Sequence, residues 1–371
     1  MKGLHGIIFS YEKHDDLREL TLNRTPASVP FAGRYRIVDF ILSSMVNAGI
    51  TDVGVLLEGN YQSLLDHLGS GKDWDLSRMH GGLRLLPPFS ANQTRGNNGI
   101  RGKMEALAGV RSYLEGIRQT HVVLADSDLI INIPLQDVYQ AHLASGADIT
   151  AVCTSSVDSE SDVTFFRLDE SGRVKEALFP LRDRTGCHRS LEIYILSKQL
   201  LLDLVDECMS HDQTSFRSAV LQAKAGSLHI QGYVWDGYAA QIRSLKEYYD
   251  RSLELLDPAI RLEVFPAQRP IHTKERNDAS TYVDPAGTCC NSLVADGCTI
   301  EGTVENSILF RGVSVARGAE VKNCILMQDT TVSRDAVLHH VIADKDVEVM
   351  DSRTLMGHDR YPMVIAKGSK V

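Results

Sequence analysis

The hydrophobic pattern of the first ~255 residues alternates between short apolar runs and segments with helical periodicity. The apolar runs Ile7–Phe9, Val53–Leu57 and His121–Ala125 predict buried β-strands. Between them, apolar residues recur at helical spacing over Tyr35–Ala48 and Lys103–Arg118, which predicts two amphipathic helices. Strands and helices in this order indicate an α/β domain with a mostly parallel, Rossmann-like sheet and helices on both faces.

The carboxyl ends of these strands are the expected ligand-binding edge, because open parallel sheets bind ligands there. Residues 10–16 follow the first strand, and Asp126-Ser127-Asp128 follow the third. The second segment has the D-x-D spacing of metal-dependent glycosyltransferases, although a solvated turn explains such a spacing equally well. Both segments are therefore candidate site residues.

The pattern changes after Leu256. Four prolines fall in a stretch with weak periodicity, which is typical of a connecting segment rather than of a third core. We therefore predict a first domain over 1–256, a linker over 257–284 and a second domain over 285–371.

The second domain contains a repeated tetrad. Asn291–Val294 returns as Asn306–Leu309 and Asn323–Leu326, and His340–Ile342 is a degenerate fourth copy. Aliphatic residues also return after about six residues within each copy, and three short strands per coil of about 16–18 residues are the signature of a parallel β-helix. In such a fold each coil buries its aliphatic face on the next coil. A plain antiparallel sandwich is the alternative, but it does not account for the tandem tetrads.

Composition narrows the possible partners and the compartment. The chain has 371 residues, a net charge of −9 and no long basic run, so nucleic acid and anionic membranes are poor partners. The N-terminal apolar run is too short for a signal peptide, and no run of about 18 apolar residues suggests a membrane span. The seven cysteines lack Cys-x-x-Cys spacing, which favours a cytoplasmic protein with reduced thiols.

Together, the two domains and their motifs resemble the glucose-1-phosphate adenylyltransferase (ADP-glucose pyrophosphorylase) family over essentially the whole chain. The resemblance is carried by Val29–Ser43, Asn60–Leu64, Gly71–Leu76, Gly81–Pro88 and residues 291–298. It implies a nucleotidyltransferase domain followed by a left-handed parallel β-helix. It also implies conversion of ATP and glucose 1-phosphate to ADP-glucose and pyrophosphate. That reaction needs a glycine-rich phosphate loop, carboxylates that hold Mg²⁺ and basic side chains for the sugar phosphate.

The chain departs from the family at the phosphate loop. The family's Gly-Gly-x-Gly-Thr-Arg falls on Tyr11–Asp16, which contains no glycine and three acids. β-Carbons would block close approach of the backbone to a phosphate, and the acids would repel it. The lysine that the family carries in its next motif falls on Pro26, whereas Arg24 is retained and is a candidate relic of the catalytic machinery.

The resemblance also implies base-binding and metal-binding positions. The base-binding segment aligns with Gly102–Ala106, where Gly102 and Glu105 are the candidate binding residues. One metal carboxylate survives as Asp128, a second candidate catalytic relic, whereas the other is replaced by Gln241 in an ungapped alignment. Asp236 could replace it only with a gap. Mg²⁺ is thus the implied cofactor, but its retention is doubtful because an amide is a poorer ligand than a carboxylate.

Basic residues at two places are candidates for phosphate groups. No lysine matches the family's sugar-phosphate lysine near residues 179–181, and Arg182 and Arg184 are possible substitutes. The family's activators are sugar phosphates, so a second set of cations could line an anion-effector site; solvated surface charge is the alternative. This set comprises Arg34, Arg36, Lys72 and Arg78.

These coordinated losses resemble the D-type, catalytically impaired subunit of this family. The resemblance implies assembly with an active adenylyltransferase subunit in a hetero-oligomer, with a tetramer as the family's expectation, in glycogen synthesis. Two alternatives stay open at this point. One is a weakly active adenylyltransferase that positions ATP through Lys13, Arg24 and Asp128, and the other is a sugar-phosphate sensor without an enzyme partner.

Overall fold

The computed structural model describes residues 3–10, 15–87, 101–156, 163–179 and 184–371. The strands of the first domain are β1 (Leu4–Phe9), β2 (Pro30–Phe31), β3 (Tyr35–Arg36), β4 (Asp52–Leu56), β5 (Gly82–Leu86), β6 (His121–Asp126), β7 (Leu129–Ile131), β8 (Ile149–Thr154), β9 (Phe165–Leu168), β10 (Val174–Leu178), β11 (His188–Ser197), β12 (Ile230–Val234) and β13 (Ala239–Gln241). The α-helices are α1 (Ile37–Asn47), α2 (Gln62–Leu68), α3 (Lys103–Gly109), α4 (Arg111–Glu115), α5 (Leu135–Ser145), α6 (Lys198–Ser210), α7 (Leu245–Glu254) and α8 (Pro258–Val264).

The described residues of the first domain form a nine-stranded mixed sheet. Its main path is β10-β9-β11-β6-β1-β4-β5, and β8 pairs with β11 and β12. β1 runs parallel to β4 and β6, and β4 runs parallel to β5. β11 runs antiparallel to β6 and β8. The predicted mostly parallel sheet is confirmed, with β10 and β11 as the strands that run against the others.

Helices cover both faces of this sheet, as predicted, because alternate residues of each strand enter different cores. Ile7 and Phe9 of β1 pack in the core beneath α3, α4 and α6. Leu4 and Ile8 pack in the core beneath α1, α2 and α5. The sheet is thus buried on both sides, which explains why its strands read as continuous apolar runs.

The predicted helices differ from the observed ones in extent. α1 lies inside the predicted range and is followed by Gly49, whose φ of +75° explains the glycine after this helix. The single helix predicted over Lys103–Arg118 is wrong, because the chain breaks at Val110 into α3 and α4. Gly109 at the end of α3 is a poor helix former, which favours the break.

The second domain is a parallel β-helix, as predicted. Its strands are β14 (Tyr282–Val283), β15 (Thr288–Cys290), β16 (Leu293–Val294), β17 (Thr299–Ile300), β18 (Thr303–Glu305), β19 (Ile308–Leu309), β20 (Ser314–Val315), β21 (Glu320–Lys322), β22 (Ile325–Leu326), β23 (Thr331–Val332), β24 (Val337–His339), β25 (Val341–Ala343), β26 (Glu348–Val349), β27 (Thr354–Met356) and β28 (Met363–Ile365). They form three parallel five-stranded sheets, in which every third strand is a neighbour. This architecture is that of the left-handed β-helix implied by the resemblance.

The repeated tetrads lie at one corner of each coil. Their first residues, Asn291, Asn306, Asn323 and His340, all have φ between 41° and 53°. Asparagine tolerates this left-handed conformation better than most residues, which gives the repeat its sequence signature. His340 keeps the conformation in the degenerate fourth copy, where its ring Nδ1 lies 2.9 Å from the Tyr249 hydroxyl oxygen.

The segment predicted as a linker wraps along the first domain and contains α8. Asn132 Nδ2 donates hydrogen bonds to the carbonyl oxygens of Val264 and Arg269, at 3.0 and 2.8 Å. Farther along, the His272 backbone N–H donates to Ser43 Oγ at 2.8 Å. The first β-helix strand begins at Tyr282, three residues before the predicted boundary.

An apolar cluster joins the two domains. Phe31 and Tyr248 of the first domain pack in it with Ile308, Phe310 and Ile325 of the β-helix. The Tyr249 hydroxyl also donates to the Asn323 carbonyl oxygen at 2.7 Å. We call this contact region between the domains the seam.

Candidate functional site

The carboxyl ends of β1 and β6 lie side by side and present a group of acidic residues. Phe9 pairs with Asp126 in the parallel register of these strands. The Ser127 hydroxyl donates to the Phe9 carbonyl oxygen at 2.9 Å, which fixes the turn that carries Asp128. Asp126 and Asp128 are both buried. Residues 11–14, which make up most of the expected phosphate loop, lie outside the described residues. We call this region the carboxyl edge.

Asp128 is ion-paired with Arg243 at the carboxyl edge. Arg243 Nε donates to Asp128 Oδ2 at 2.7 Å, and both side chains are buried. The backbone holds the two segments together, because the Ile242 N–H donates to the Asp128 carbonyl oxygen at 2.8 Å. A guanidinium therefore occupies the position next to the one carboxylate that the alignment retains as a metal ligand.

Gln241 lies beside Asp128, where the ungapped alignment puts the second metal ligand. β13 pairs antiparallel with β7 and sets Gln241 opposite Leu129. Gln241 Oε1 accepts a hydrogen bond from Arg189 Nη1 at 3.0 Å, and Gln241 Nε2 has no hydrogen-bond partner. Asp236, the alternative ligand, is exposed. The amide oxygen that could contact a metal is thus already used by a second guanidinium.

Lys103 places a third cation at the carboxyl edge. Its Nζ lies 2.8 Å from Asp126 Oδ2 and 3.0 Å from Glu192 Oε2. The same ammonium lies 5.5 Å from the centroid of the Phe9 ring, within the range of a cation–π contact. The sequence analysis placed Lys103 inside the base-binding segment Gly102–Ala106 and missed this role.

Glu192 completes the charge balance at the carboxyl edge. It lies at an irregular position of β11 with a φ of 54° and is buried. Burial alone would raise the pKa of its carboxyl group, but Lys103, Arg217 and Arg243 outweigh burial and hold that pKa below its ordinary value. Glu192 is therefore ionised at neutral pH and forms a true ion pair with Lys103.

The donors at the carboxyl edge do not fit Mg²⁺. A magnesium site needs oxygen ligands in near-octahedral geometry, including carboxylates that approach the ion directly. Here Asp126, Asp128 and Gln241 each use an oxygen for a cationic side chain. Across the described residues, no group of three or more His, Cys, Asp or Glu side chains is arranged to hold a metal ion.

The two candidate base-binding residues have structural roles in the described part of the chain. Gly102 precedes α3 and lies against another segment, because a β-carbon there would be 2.4 Å from the Thr214 carbonyl oxygen. Glu105 Oε2 accepts a hydrogen bond from the Arg101 backbone N–H at 2.7 Å and is paired with the Arg101 guanidinium. Glu105 thus binds Arg101, just before the helix α3 that contains Glu105.

Of the two arginines suggested for the sugar phosphate, Arg182 lies outside the described residues. The Arg184 guanidinium lies 5.1 Å from the centroid of the Phe165 ring. Arg184 also lines an open pocket of about 450 Å³ that includes His188.

Arg24 lies at the seam and is ion-paired with the β-helix. Its Nη2 lies 2.9 and 2.7 Å from the two carboxylate oxygens of Asp344, and both side chains are buried. The sequence analysis named Arg24 and Asp128 as candidate catalytic relics. The structure places them in different ion pairs, since Asp128 pairs with Arg243 at the carboxyl edge and Arg24 pairs with Asp344 of the β-helix.

The four cations suggested for an effector site do not form one cluster. Arg36 Nη1 donates to the backbone and side-chain oxygens of Ser63, both at 2.7 Å. Arg34 is exposed and lies 6.0 Å from the Tyr35 ring centroid. Lys72 is exposed, and Arg78 is ion-paired with the neighbouring Asp75.

Arg36 instead belongs to a group of cations at the seam that includes Lys345. Burial, as the largest cause, and the nearby Arg36 and Arg24 together lower the pKa of the half-buried Lys345 ammonium to about 7, against the effect of Asp344. Burial likewise lowers the pKa of Arg36 to about 10. Asp39 also faces Arg36, but its carboxylate is bound 2.6 Å from His67 Nε2. The sequence analysis gives Lys345 no role, because nothing in the β-helix repeat marks it.

None of the described helices combines the length and the apolar character needed to cross a bilayer.

Each domain matches a known protein family, and the whole chain is similar to proteins of known name. Residues 13–178 match the family described as nucleotidyl transferase, and residues 278–361 match the GlmU-like, C-terminal hexapeptide family. The chain is 36% identical to glycogen biosynthesis protein GlgD of Bacillus subtilis over 365 residues, which cover 98% of this chain and 95% of that protein. It is 36% identical to GlgD of Geobacillus stearothermophilus, over 85% of this chain and 82% of that protein. The glucose-1-phosphate adenylyltransferase of the same species is 32% identical, over 82% and 80% of the two chains.

Proposed function

Because the chain belongs to the glucose-1-phosphate adenylyltransferase family and is similar to its GlgD proteins, we propose that it serves glycogen synthesis as a subunit with little or no adenylyltransferase activity of its own. In this role it assembles with an active adenylyltransferase subunit and raises the activity of that subunit or sets its response to effectors.

The observation that carries the proposal is the charge balance at the carboxyl edge. Arg243 and Lys103 neutralise the carboxylates that a metal–nucleotide complex would need. Mg²⁺ binding through Asp128 would compete with the Arg243 guanidinium for the same buried carboxylate. Removing one member of a buried ion pair costs about 3–5 kcal/mol. This cost disfavours the alternative in which Asp128 and Arg24 position ATP for turnover.

Two related chains in one organism support a two-subunit system. Geobacillus stearothermophilus has both a GlgD and a glucose-1-phosphate adenylyltransferase, and this chain is similar to each of them. By this comparison, we expect this chain to work beside an active relative, in a cytoplasmic hetero-oligomer such as a tetramer.

The seam is the place we propose for a sugar-phosphate effector. Three cations lie close together there. Arg36 and Arg24 both lower the pKa of Lys345, and Arg24 also lowers the pKa of Arg36. A phosphate there would relieve their mutual repulsion, because opposite charge favours the protonated form of Lys345. An anion bound between the domains would also couple its binding to their relative arrangement.

The test is reconstitution with an active relative. Purified alone, this chain should form ADP-glucose at least about 100-fold more slowly than the adenylyltransferase of Geobacillus stearothermophilus, because the charge-stabilising groups of the reaction are missing. Mixed with that enzyme, it should co-elute in size-exclusion chromatography and change the enzyme's rate or effector response. Heat-denatured chain is the matched control. Robust turnover by this chain alone would refute the proposal.

A further inference from the structure

A polar cavity lies at the amino ends of β1, β4 and β5, at the end of the sheet opposite the carboxyl edge. Its volume is about 310 Å³. Ligand sites typically range from about 300 to 1,000 Å³, so this cavity suits a small molecule. Its walls come from the three strands, from α4 with the segment that follows it, and from the residues before β5. We call it the amino-edge cavity.

Three neighbouring strands each contribute one polar side chain to the amino-edge cavity. These are His5 of β1, Asp52 of β4 and Arg84 of β5. They break otherwise apolar strands on the face that packs against α4. Gly54 makes room for Tyr113 of α4, because a β-carbon at Gly54 would lie 2.7 Å from the Tyr113 hydroxyl oxygen. The same hydroxyl lies 2.9 Å from His5 Nε2 and fixes the imidazole ring.

His5 has an unused hydrogen-bonding atom in the amino-edge cavity. The side chain is 1% exposed, and its Nδ1 makes no hydrogen bond of normal geometry with any described residue, although the Gln119 side chain lies close enough to influence the ring. Asp52 Oδ2 lies 3.8 Å from this atom, too far for a hydrogen bond. Burial lowers the pKa of His5 to about 4, with a further contribution from Arg84 and an opposing one from Gln119, so the ring is neutral at pH 7. A buried polar atom without a partner is costly, which suggests that a ligand group contacts it.

The charges around the amino-edge cavity favour an anion. Arg84 and Arg118 line it, and neither guanidinium makes an ion pair with any residue that the structure describes. Asp52 is the carboxylate among the lining residues, so the two arginines leave an excess positive charge. The Gln119 side-chain oxygen accepts no hydrogen bond of normal geometry from the described residues, so this oxygen and the Asp52 carboxylate also call for hydrogen-bond donors on the ligand.

We propose that the amino-edge cavity binds a small hydroxylated anion, with its phosphate or carboxylate on Arg84 and Arg118 and its hydroxyl groups on Asp52 and His5. This site lies apart from the carboxyl edge and the seam, and it does not depend on the proposed function. A sugar phosphate and a sugar acid share the required chemistry.

Titration calorimetry on the full chain tests the inference with four probes. Glucose 6-phosphate and gluconate carry both the anion and the hydroxyl groups, whereas inorganic phosphate and glucose carry one feature each. We expect either of the first two to bind at least about 10-fold more tightly than phosphate or glucose, since each charged hydrogen bond contributes about 10-fold or more. The tighter of these two identifies the anionic group. The experiment is repeated in the Lys345→Gln variant, which weakens the seam cluster.

The two arginines of the amino-edge cavity are exposed, so they can be substituted without disturbing the hydrophobic core. Arg84→Gln and Arg118→Gln should each weaken the preferred probe by about 10- to 100-fold, in both the wild-type and the Lys345→Gln backgrounds. Asp52→Asn should abolish the preference for the hydroxylated anion over inorganic phosphate. Arg360→Gln replaces an exposed arginine of the β-helix; it is the matched control and should not change the affinity for any probe.

Two outcomes would overturn the inference. One is that none of the four probes binds at ~10 mM, and the other is that binding survives both arginine substitutions. Either outcome leaves the reconstitution test of the proposed function unaffected.

Discussion

The carboxyl edge and the seam both contain buried charges, but the balance of charge differs between them. At the carboxyl edge, Lys103 is paired with Asp126 and Glu192, and Arg243 is paired with Asp128. At the seam, both Asp344 carboxylate oxygens are bound by Arg24, and further cations lie nearby. The first region is neutralised from within, and the second has positive charge to spare. Under the proposed function, this difference favours the seam over the carboxyl edge as the place where an anion binds.

Removing Arg24 should have the largest effect of any single change. Arg24→Ala leaves the buried Asp344 carboxylate without its guanidinium and with only the hydrogen bond from the Lys345 backbone N–H that the described residues provide, and this should lower the free energy of unfolding by about 3–5 kcal/mol. Because the pair joins the two domains, the loss should also make unfolding less cooperative. Urea denaturation followed by circular dichroism measures both effects.

The double variant Arg24→Leu/Asp344→Leu is the control for this experiment. Replacing both members of a buried pair by apolar residues is often close to neutral, so most of the stability should return. A loss below about 1 kcal/mol for Arg24→Ala would show that the pair is solvated and does not join the domains.

The carboxyl edge should be somewhat more tolerant of change. Lys103→Met keeps the length of the side chain but leaves Asp126 and Glu192 without their shared ammonium. One carboxyl group can then take up a proton, so we expect a loss of about 3 kcal/mol at pH 7 that becomes smaller in acid. Thermal unfolding at pH 5 and pH 7 provides the measurement. Lys175→Met, which removes an exposed partner of Asp169, should cost less than about 1 kcal/mol.

The sequence predicts the architecture well because both domains follow strict periodicities. The β-helix could be located from its tetrads, since the left-handed corner residues and the stacked aliphatics recur at fixed spacing. The break between α3 and α4 could not, because Val110 and its neighbours fit one helical face equally well. The periodicity of apolar residues does not show where a helix is interrupted, because both segments keep the same face towards the core.

The candidate site was only partly predictable for a different reason. Departures from the family at Gln241 and Lys103 are visible in the sequence, and they indicate that something is lost. What replaces it depends on contacts between residues far apart in the chain, such as Arg243 with Asp128 and Lys103 with Glu192. A sequence motif shows which ligand is missing, whereas only the fold shows which cation has taken its place.

Restoring the metal ligands would sharpen the comparison of the two regions. A triple variant, Lys103→Thr, Gln241→Asp and Arg243→Gln, removes two cations and adds a carboxylate beside Asp128. We expect Mn²⁺, used as a spectroscopic substitute for Mg²⁺, to bind at least about 10- to 100-fold more tightly than to the wild-type chain. Electron paramagnetic resonance of free Mn²⁺ gives the affinity.

A matched triple variant at the seam controls for general loss of positive charge. Arg36→Gln, Lys345→Gln and Lys367→Gln make the same change in net charge within the group of cations around Lys345. If this variant gained Mn²⁺ affinity to the same extent, the effect would be non-specific, and the carboxyl edge would not be the former metal position.

The smallest effect we predict is a pH dependence of anion binding at the seam. Burial and two guanidiniums bring the pKa of Lys345 to about 7, so the ammonium is charged below that pH and neutral above it. Sulfate keeps a constant charge in this range, and its affinity should fall by roughly 5- to 10-fold as the pH rises from 6 to 8.

The free energy of unfolding should show the opposite trend with pH. The unfolded lysine has a pKa near 10.5 and binds its proton more strongly than the folded one, so stability should rise from pH 7 towards pH 10. Lys345→Gln should remove both dependences, and a pH dependence that persisted in this variant would assign the titration to another group.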